Sequence, residues 1–352
     1  MSDRSTIYEV ASRSGVSTAT VSRVMRNGDG FSAATRDRVL AAAAELGWVP
    51  NGPARGLASR RAGIVGLVFP DLGGSGDAEE ESPLFVDEVI RGAERAATAA
   101  GDAVLIVSAH RASGRKLTYS VAGKVDGLVV MARSLADHDT AALAKTVPIV
   151  VLANHSARHG LDFVSADNRG GSMDVTSHLL SVHGHTDVAF VGGPSRSPDS
   201  QERFAGFRAA LSAAGLRAPA APDARGNFTE AGGRKATEQL LASGRRPRAI
   251  VYGNDEMAIG GLGALRTAHI KVPTDVAVTG FDDIATCRLV RPALTTVRQP
   301  MRDLGERAVQ LLLARIADPT AERHSETLPV TLVVRGSCGC RGRGGRGGAG
   351  AA

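Results

Sequence analysis

The first fifty residues carry apolar side chains at helical spacing. Ser17 and Ser32 stand where N-caps belong, and Gly15 and Gly47 stand where helices stop. Three short helices with a tight glycine-containing turn between the first two describe a helix-turn-helix unit, which is too small to be a catalytic domain. The predicted apolar stripes are Ile7, Val10 and Ala11, then Val21 and Val24, then Val39, Leu40, Ala43 and Leu46.

The pattern changes at Gly63, where short apolar runs begin to alternate with amphipathic stretches. This alternation predicts strand–helix–strand units and a mostly parallel sheet. About nine strands exceed one compact layer, so we expect an α/β core of two doubly wound parallel-sheet subdomains. The runs are GIVGLVFP, AVLIVSA, VDGLVVM, PIVVL, DVAFVGG, AIVYGN and VAVTGFDD.

Polar residues and glycines follow several of these runs. Because ligands bind beyond the carboxyl ends of parallel strands, the set predicts a ligand cleft. Ordinary turn chemistry is the alternative for any single one, since Asp, Asn and Gly favour turns. The strand ends read FPD (69–71), LAN (152–154), VGGP (191–194), GNDE (253–256) and GFDD (280–283).

Composition narrows the class of protein. The chain has 352 residues, of which 43% are hydrophobic and 22% charged, enough for more than one domain. It has no run long enough to cross a membrane and no secretory signal. Its three cysteines predict neither a disulfide framework nor a metal site, and no cofactor is indicated. We therefore expect a cytoplasmic protein.

The net charge of +6 is uneven. Residues 1–61 hold nine Arg against five Asp/Glu, a net of +4, and 335–352 add four Arg and no acid. Residues 62–334 carry 29 Lys/Arg against 31 Asp/Glu, a net of −2. A basic head on a near-neutral body indicates a polyanionic partner for the head, although surface arginines that only favour solubility would give the same count.

The motifs then resemble one family. TIYEVASRSGVSTATVSRV, TRDRVLAAAAELGWVPN and ARGLAS resemble the head and hinge of the lactose-repressor/galactose-repressor (LacI/GalR-type) bacterial transcription regulators. GHTDVAFVGGP, RFAGFRAAL, NDEMAIGGL, GFDD and LTTVRQP resemble its core, in the same order. The resemblance implies a repressor that binds double-stranded DNA as a homodimer, at a near-palindromic operator. It also implies a core shaped like a periplasmic sugar-binding protein and control by a small effector, a sugar above all.

The resemblance also implies domain boundaries. We expect the tail to be disordered, because it is rich in Arg and Gly. It lacks the leucine heptads that would make a tetramer, so we expect a dimer. The expected segments are a head at 1–50, a hinge at 51–61, a core at 62–337 (N-subdomain 62–166 plus 299–328, C-subdomain 167–298 plus 329–337) and a tail at 338–352.

On a helix begun at Ser17, a small, polar and cationic face lies opposite the valines, which suits a major groove. By resemblance, Thr18, Ala19 and Arg23 occupy base-reading positions, and a solvated helix face is the alternative. Arg26 replaces the family's usual Asn, and we favour a phosphate contact for it. Phosphate contacts are also expected from Ser17, Thr20 and Ser22.

The hinge PNGPARGLASRR contains Leu57, which matches the family's leucine that wedges into the minor groove, with Ala54 and Arg55 beside it. A flexible linker in which Leu57 has no special contact is the alternative.

By residue-wise matching, Arg203, Asn254 and Asp282 occupy the family's polar effector positions, Phe228 the stacking ring and Phe85 a pocket-lining aromatic. Forked donors, an amide and a strong acceptor suit adjacent sugar hydroxyls. The alternatives are a structural Arg203–Asp282 ion pair and an N-cap role for Asn254.

Other features leave the effector open. Ala153-Asn154 replaces the family's Asp-Arg, and 73–81 is an acidic, glycine-rich insertion. A nucleobase or a protein is therefore an alternative effector. His178, His183 and His185 straddle a helix end and a turn, and we predict no metal there. The sequence contains no nucleotide-binding or hydrolase glycine motif between a predicted strand and a predicted helix, which argues against an enzyme. A transport-type sugar-binding protein would have no use for the head.

Overall fold

The computed structural model describes residues 5–25, 29–49, 61–70, 83–109, 114–153 and 160–340. The chain divides into two compact units, Met1–Gly63 and Ile64–Ala352, which are taken in turn. The predicted hinge contacts, the insertion at 73–81 and Asn154 lie outside the described residues.

The first unit contains the predicted helices. The Thr6 hydroxyl caps the first and accepts from the Glu9 N–H, while Ser17 and Ser32 cap the next two. Val10, Val21 and Val39 are fully buried between them. The helices are α1 (Ile7–Ser14), α2 (Thr18–Val24) and α3 (Ala33–Glu45).

One member of the third predicted stripe does not belong to this core. Leu40 remains 45% exposed, whereas its neighbour Val39 is fully buried. Adjacent residues on a helix point about 100° apart, so both cannot face the same small core.

The second unit begins with a six-stranded sheet in the order β11-β5-β4-β3-β1-β2, with all described pairs parallel. The strands are β1 (Ile64–Pro70), β2 (Ala103–Ala109), β3 (Gly127–Met131), β4 (Ile149–Leu152), β5 (Asp162–Ala166) and β11 (Ser325–Leu328). The accompanying helices are α4 (Pro83–Ala99), α5 (Gly114–Ala122), α6 (Asp137–Leu143) and α11 (Met301–Ala317).

Side-chain alternation gives this sheet a core on each face. Leu67 and Phe69 of β1 pack in one cluster with residues of α4 and α11. Val68, between them in sequence, packs in the other cluster with Val121 of α5 and Leu143 of α6. Helices therefore cover both faces, as in a doubly wound fold.

The remaining elements build a second sheet in the order β7-β6-β8-β9, beside a two-stranded antiparallel pair of β10 and β12. The strands are β6 (Val188–Gly192), β7 (Ala224–Arg225), β8 (Ala249–Tyr252), β9 (Ala277–Thr279), β10 (Thr296–Arg298) and β12 (Thr331–Val333). The helices are α7 (Asn168–Ser181), α8 (Pro198–Ala213), α9 (Glu230–Ala242) and α10 (Asp255–Thr267).

The second sheet repeats the two-sided packing. Ala189 and Val191 of β6 belong to one buried cluster, and Val188 and Phe190 belong to the other. The predicted fold class, an all-α head with a core of two doubly wound sheets, is confirmed. The described chain has twelve strands rather than about nine, because β7, β10, β11 and β12 have only two to four residues each.

The ordered core extends beyond the predicted boundary at 337. A 3₁₀ turn spans Gly336–Cys338, and Cys338 is buried with 1% exposure. The prediction of a disordered segment from 338 onward is therefore wrong for 338–340, because the thiol of Cys338 adds to the apolar packing against α7 and α8. Among the described helices, none is long and apolar enough to span a membrane.

Candidate DNA-binding surface and effector site

The start of α2 is fixed by Ser17. Its hydroxyl oxygen accepts from the Thr20 N–H at 3.1 Å and lies 3.0 Å from the Thr20 hydroxyl. The predicted capping role of Ser17 is therefore present. The hydroxyls of Ser17 and Thr20 partner each other here, so a phosphate contact from either would exchange this bond for one to the phosphate.

The outer face of α2 has the predicted character. Val21 and Val24 are buried in the head core, with 0% and 2% exposure. Ala19 and Arg23 are exposed on the other side, with Thr18 and Ser22 half-buried beside them. This face combines small side chains with one guanidinium, the chemistry that reads bases in a major groove.

The remaining predicted DNA contacts are not placed by the structure. The helix ends at Val24, with Met25 as its C-cap. Arg26, Ala54, Arg55 and Leu57 lie outside the described residues, and their roles stay predictions.

Arg203, on α8, connects the loops at one edge of the second sheet. Its Nε donates to Asn168 Oδ1 at 2.7 Å, and its Nη1 donates to the Gly253 carbonyl at 2.5 Å. The same Nη1 lies 3.3 Å from Asp282 Oδ1, and the guanidinium carbon stands 3.9 Å from the centre of the Phe281 ring. With 4% exposure, Arg203 joins residues that follow β5, β8 and β9.

Asp282 has a second buried partner and an unusual backbone. Its Oδ1 accepts from Gln299 Nε2 at 2.6 Å. Burial raises the pKa of Asp282 above its usual range, and the facing Arg203 guanidinium offsets part of that rise. The backbone φ is +123°, a strained value for a residue that is not glycine.

Asn254 begins α10 directly after β8. Its Oδ1 accepts from the Met257 N–H at 3.1 Å, and its Nδ2 donates to the Phe228 carbonyl at 2.9 Å. The capping alternative for Asn254 is therefore realised, as is the Arg203–Asp282 ion pair. Neither contact removes the residues from a ligand site, because ligands in such folds bind at helix starts beyond strand ends.

The two predicted aromatic residues lie in different subdomains. Phe228 has 3% exposure and a φ of +70°, and the Arg203 guanidinium carbon lies 5.9 Å from its ring centre. Phe85 belongs to the hydrophobic core of the first subdomain. The structure therefore brings Arg203, Asp282 and Phe228 together but places Phe85 in a separate cluster.

Sequence reasoning missed several members of this network. Asn168 bridges Arg203 and Asp199, since its Nδ2 donates to Asp199 Oδ1 at 2.8 Å. Gln299 and Phe281 complete the surroundings of Asp282 and Arg203. Asn168 carried a usable signal, because it follows β5 just as Asn254 follows β8. Gln299 lies in the LTTVRQP motif, but nothing in that motif indicated a contact with Asp282.

A buried carboxyl lies directly behind the site. Asp255 has no exposed surface, and it accepts from the Thr296 hydroxyl at 2.6 Å and from the Ile284 N–H at 3.1 Å. The Cys287 thiol donates to it at 3.0 Å. Burial raises the pKa of Asp255 to about 7, despite these hydrogen bonds.

The structure also joins two histidines to the terminal cysteines. His178, His183, Cys338 and Cys340 place their ligand atoms within 4.8 Å of one another. The prediction of no metal site considered the three histidines, which straddle a helix end and a turn, and the cysteine spacing separately; the fold brings two of the histidines and two of the cysteines together.

Comparison with known proteins gives the class. Residues 6–51 match the model "Bacterial regulatory proteins, lacI family", and residues 176–338 match "Periplasmic binding protein-like domain". A helix-turn-helix head followed by such a core defines a class of DNA-binding transcription regulators.

Individual relatives agree over nearly the whole chain. The ribose operon repressor of Escherichia coli (strain K12) is 33% identical over 94% of this chain and 99% of its own. The Lac repressor dimer bound to operator and the anti-inducer ONPF superposes with a TM-score of 0.82, at 28% identity over 96% of this chain and 99% of that one. A complex of the regulator CelR with cellobiose superposes with a TM-score of 0.71, at 30% identity over 95% and 100%.

The chain belongs to the LacI family. It is a DNA-binding transcriptional repressor of that family, and its relatives are repressors rather than enzymes, as predicted.

Proposed function

We propose that this repressor binds a near-palindromic operator as a homodimer through α2 and responds to a small effector, a sugar, held beside Arg203. The proposed binding to DNA is supported above all by the exposed face of α2. Ala19 lets the helix approach the bases, and Arg23 can donate two hydrogen bonds to guanine O6 and N7. Both side chains are exposed while the valines behind them are buried.

The effector part rests on the polar network at the strand ends. Arg203 supplies a forked donor, Asp282 a strong acceptor and Asn254 both functions, which together suit adjacent hydroxyls. Asp282 and Phe228 both have positive φ angles, and such backbone strain concentrates at ligand sites. One relative is named for the ribose operon and one solved neighbour holds cellobiose, which favours a sugar over a nucleobase.

The proposal of a dimer is supported by exposed apolar side chains at one edge of the first sheet. Strand β2 lies at the edge, and its Ile106 is 47% exposed. Leu117 and Tyr119, on the helix α5 that packs beside β2, are 45% and 40% exposed. Exposed apolar side chains on both faces of this edge favour a protein partner, and a two-fold dimer explains a palindromic operator. The related Lac repressor structure is described as a dimer.

The test begins with DNA. Selection from random duplexes should enrich a palindrome, and sedimentation should show two chains on it. Binding that weakens with salt and shows no base preference would contradict sequence-specific recognition. A Leu117→Asp variant should sediment as a monomer and bind the palindrome more weakly, whereas an unchanged dimer would place the interface elsewhere.

The selected operator then allows the effector test. A panel of pentoses, hexoses, disaccharides and nucleobases is titrated against the repressor–operator complex. We expect one sugar to change operator affinity and, by linkage, the operator to change the affinity for that sugar by the same factor. A response to a nucleobase alone would overturn the sugar assignment but leave the DNA assignment intact.

A further inference from the structure

The four-residue cluster of His178, His183, Cys338 and Cys340 brings together distant parts of the chain. His178 lies in the last turn of α7, and His183 follows that helix by two residues. Cys338 ends the 3₁₀ turn, and Cys340 follows two residues later. The fold therefore joins side chains that are about 160 positions apart in sequence at one point beside the C-terminal end of α7.

The spacing of their ligand atoms is that of a metal site. His178 Nε2 lies 3.5 Å from Cys338 Sγ and 3.5 Å from Cys340 Sγ, and His183 Nε2 lies 3.3 Å from Cys340 Sγ. In tetrahedral zinc sites sulfur lies at about 2.3 Å and nitrogen at about 2.0–2.1 Å, which puts two such ligands about 3.5 Å apart. We propose that these four residues bind one zinc ion in a closed Cys₂His₂ site.

The local backbone aims both thiols at the histidines. Gly339 separates the cysteines and has a φ of +103°, in a region that side chains rarely adopt. A Cβ at Gly339 would also lie 3.4 Å from the His183 ring. The Cys-Gly-Cys sequence therefore turns sharply enough for both sulfur atoms to face the same centre.

A neighbouring hydroxyl holds one thiol in place. The Thr295 hydroxyl donates toward Cys338 Sγ at 3.2 Å. Hydrogen bonds to metal ligands orient them and tune the site. Two thiolates balance the charge of Zn²⁺, and zinc binding releases the thiol protons to solvent.

The donor set decides the kind of site. Four protein ligands leave no open position, which is typical of structural rather than catalytic zinc. The ion would fasten 338–340 to the end of α7 and so stabilise the second subdomain. His185, whose ring stacks on His183 with centroids 5.7 Å apart, lies outside the ligand set.

The experiment uses the full chain without a histidine tag, purified under reducing conditions. The protein is stripped with chelator, reloaded with Zn²⁺ alone, and analysed for bound metal. We expect about one zinc per chain and a thermal transition that rises with zinc and falls with chelator. In parallel, Co²⁺ loading should give the visible bands of tetrahedral cobalt and a thiolate charge-transfer band.

Two variants remove ligands and two serve as matched controls. Cys340→Ser and His183→Gln should lose the stoichiometric zinc and the cobalt spectrum. Cys287→Ser, which changes a thiol outside the cluster, and His185→Gln, which changes the neighbouring histidine, should keep both. The cobalt spectrum of each folded variant is read beside its circular dichroism, so that loss of the site is separated from loss of the fold.

A wild-type chain that binds no zinc after reloading, or a zinc content unchanged in both ligand variants, would overturn the site. A cobalt spectrum without a thiolate band would do the same, because it would place the ion on other residues. None of these readouts depends on DNA or effector binding.

Discussion

The guanidinium of Arg203 and the carboxylate of Asp282 form a buried ion pair, with Nη1 and Oδ1 3.3 Å apart and both side chains at most 5% exposed. The neighbouring Asp283 makes a different set of contacts. It accepts from Arg298 Nε at 2.7 Å and from Arg335 Nη2 at 2.5 Å. The two adjacent aspartates therefore contact different partners, so substitutions at Asp282 and Asp283 give a matched test of the effector site.

Asp282→Asn should weaken effector binding with the fold intact. Asparagine tolerates positive φ and can still accept from Gln299, but it removes the charge opposite Arg203. We expect a loss of about 1–3 kcal/mol in effector affinity, measured by calorimetry. Asp283→Asn should lower the free energy of unfolding and leave effector affinity unchanged. Equal effector affinity in the wild type and Asp282→Asn would show that the pair is only structural.

Arg23→Ala should relax base preference at one operator position. Losing a bidentate arginine contact costs about 1–3 kcal/mol of discrimination. The matched control is Arg38→Ala, an exposed arginine on α3, which should leave the preferred sequence unchanged. The two variants are compared by repeating the duplex selection, and an unaltered consensus for Arg23→Ala would refute base reading by this residue.

Leu57→Ala should weaken operator binding while the free protein stays folded. The expectation follows from the family's leucine wedge, since removing an apolar wedge removes the contact that offsets the cost of unstacking a base step. Leu40→Ala, at an exposed leucine of the head, is the control. Affinity is measured on the selected palindrome, where equal values for both variants would favour the flexible-linker alternative.

Arg315→Met should destabilise the first subdomain strongly. Arg315 Nε and Nη2 donate to Asp162 Oδ2 and Oδ1 at 2.8 and 2.9 Å, and Asp162 has no exposed surface. Burial by itself would raise the pKa of Asp162, but Arg315 and the His324 N–H hold it below the usual value. Removing Arg315 leaves this buried charge with only the His324 N–H and the more distant Arg323, at 3.5 Å, and we expect a loss of about 3–5 kcal/mol in the free energy of unfolding.

The control for that variant is Arg307→Met on the same helix. Arg307 pairs with Glu326 at 2.8 Å, but its side chain is 44% exposed. An exposed pair contributes about 0–1 kcal/mol. Chemical denaturation of both variants checks the difference, and comparable losses would mean that burial does not set the strength of the Asp162 pair.

Asp255 should make stability fall as pH rises. Its pKa is about 7 in the folded chain, above the ordinary value of 3.8, so the folded state holds the proton more tightly. The contribution is complete below the ordinary value and is lost as pH rises through about 7, with a slope of at most about 1.4 kcal/mol per pH unit.

Asp255→Asn tests this contribution. The amide cannot titrate, so the difference in unfolding free energy between wild type and variant should shift in favour of the variant between pH 4 and pH 8. Denaturation curves across that range measure it. A difference that stays constant with pH would mean that Asp255 keeps its ordinary pKa in the folded chain.

The sequence by itself determined the local elements and the class of protein. Ser17, Ser32 and the valine stripes specify the head because capping and helical spacing act within a few residues. The apolar runs specify the strands, because their alternation with amphipathic stretches is also a short-range pattern. The head motif identified the family by resemblance. Leu40 shows the limit of this prediction, because helical spacing does not determine how wide a face of the helix is buried by its neighbours.

Only the tertiary structure decided which distant side chains meet. Arg203 and Asp282 were predicted as ligands by resemblance, but their pairing, and the parts played by Asn168 and Gln299, depend on where β5, β9 and β10 bring separate loops together. His178 and Cys340 are the clearest example of side chains that only the tertiary structure brings together. No short-range pattern links residues 162 positions apart. Their proximity arises from the packing of residues 338–340 against α7 rather than from any local preference.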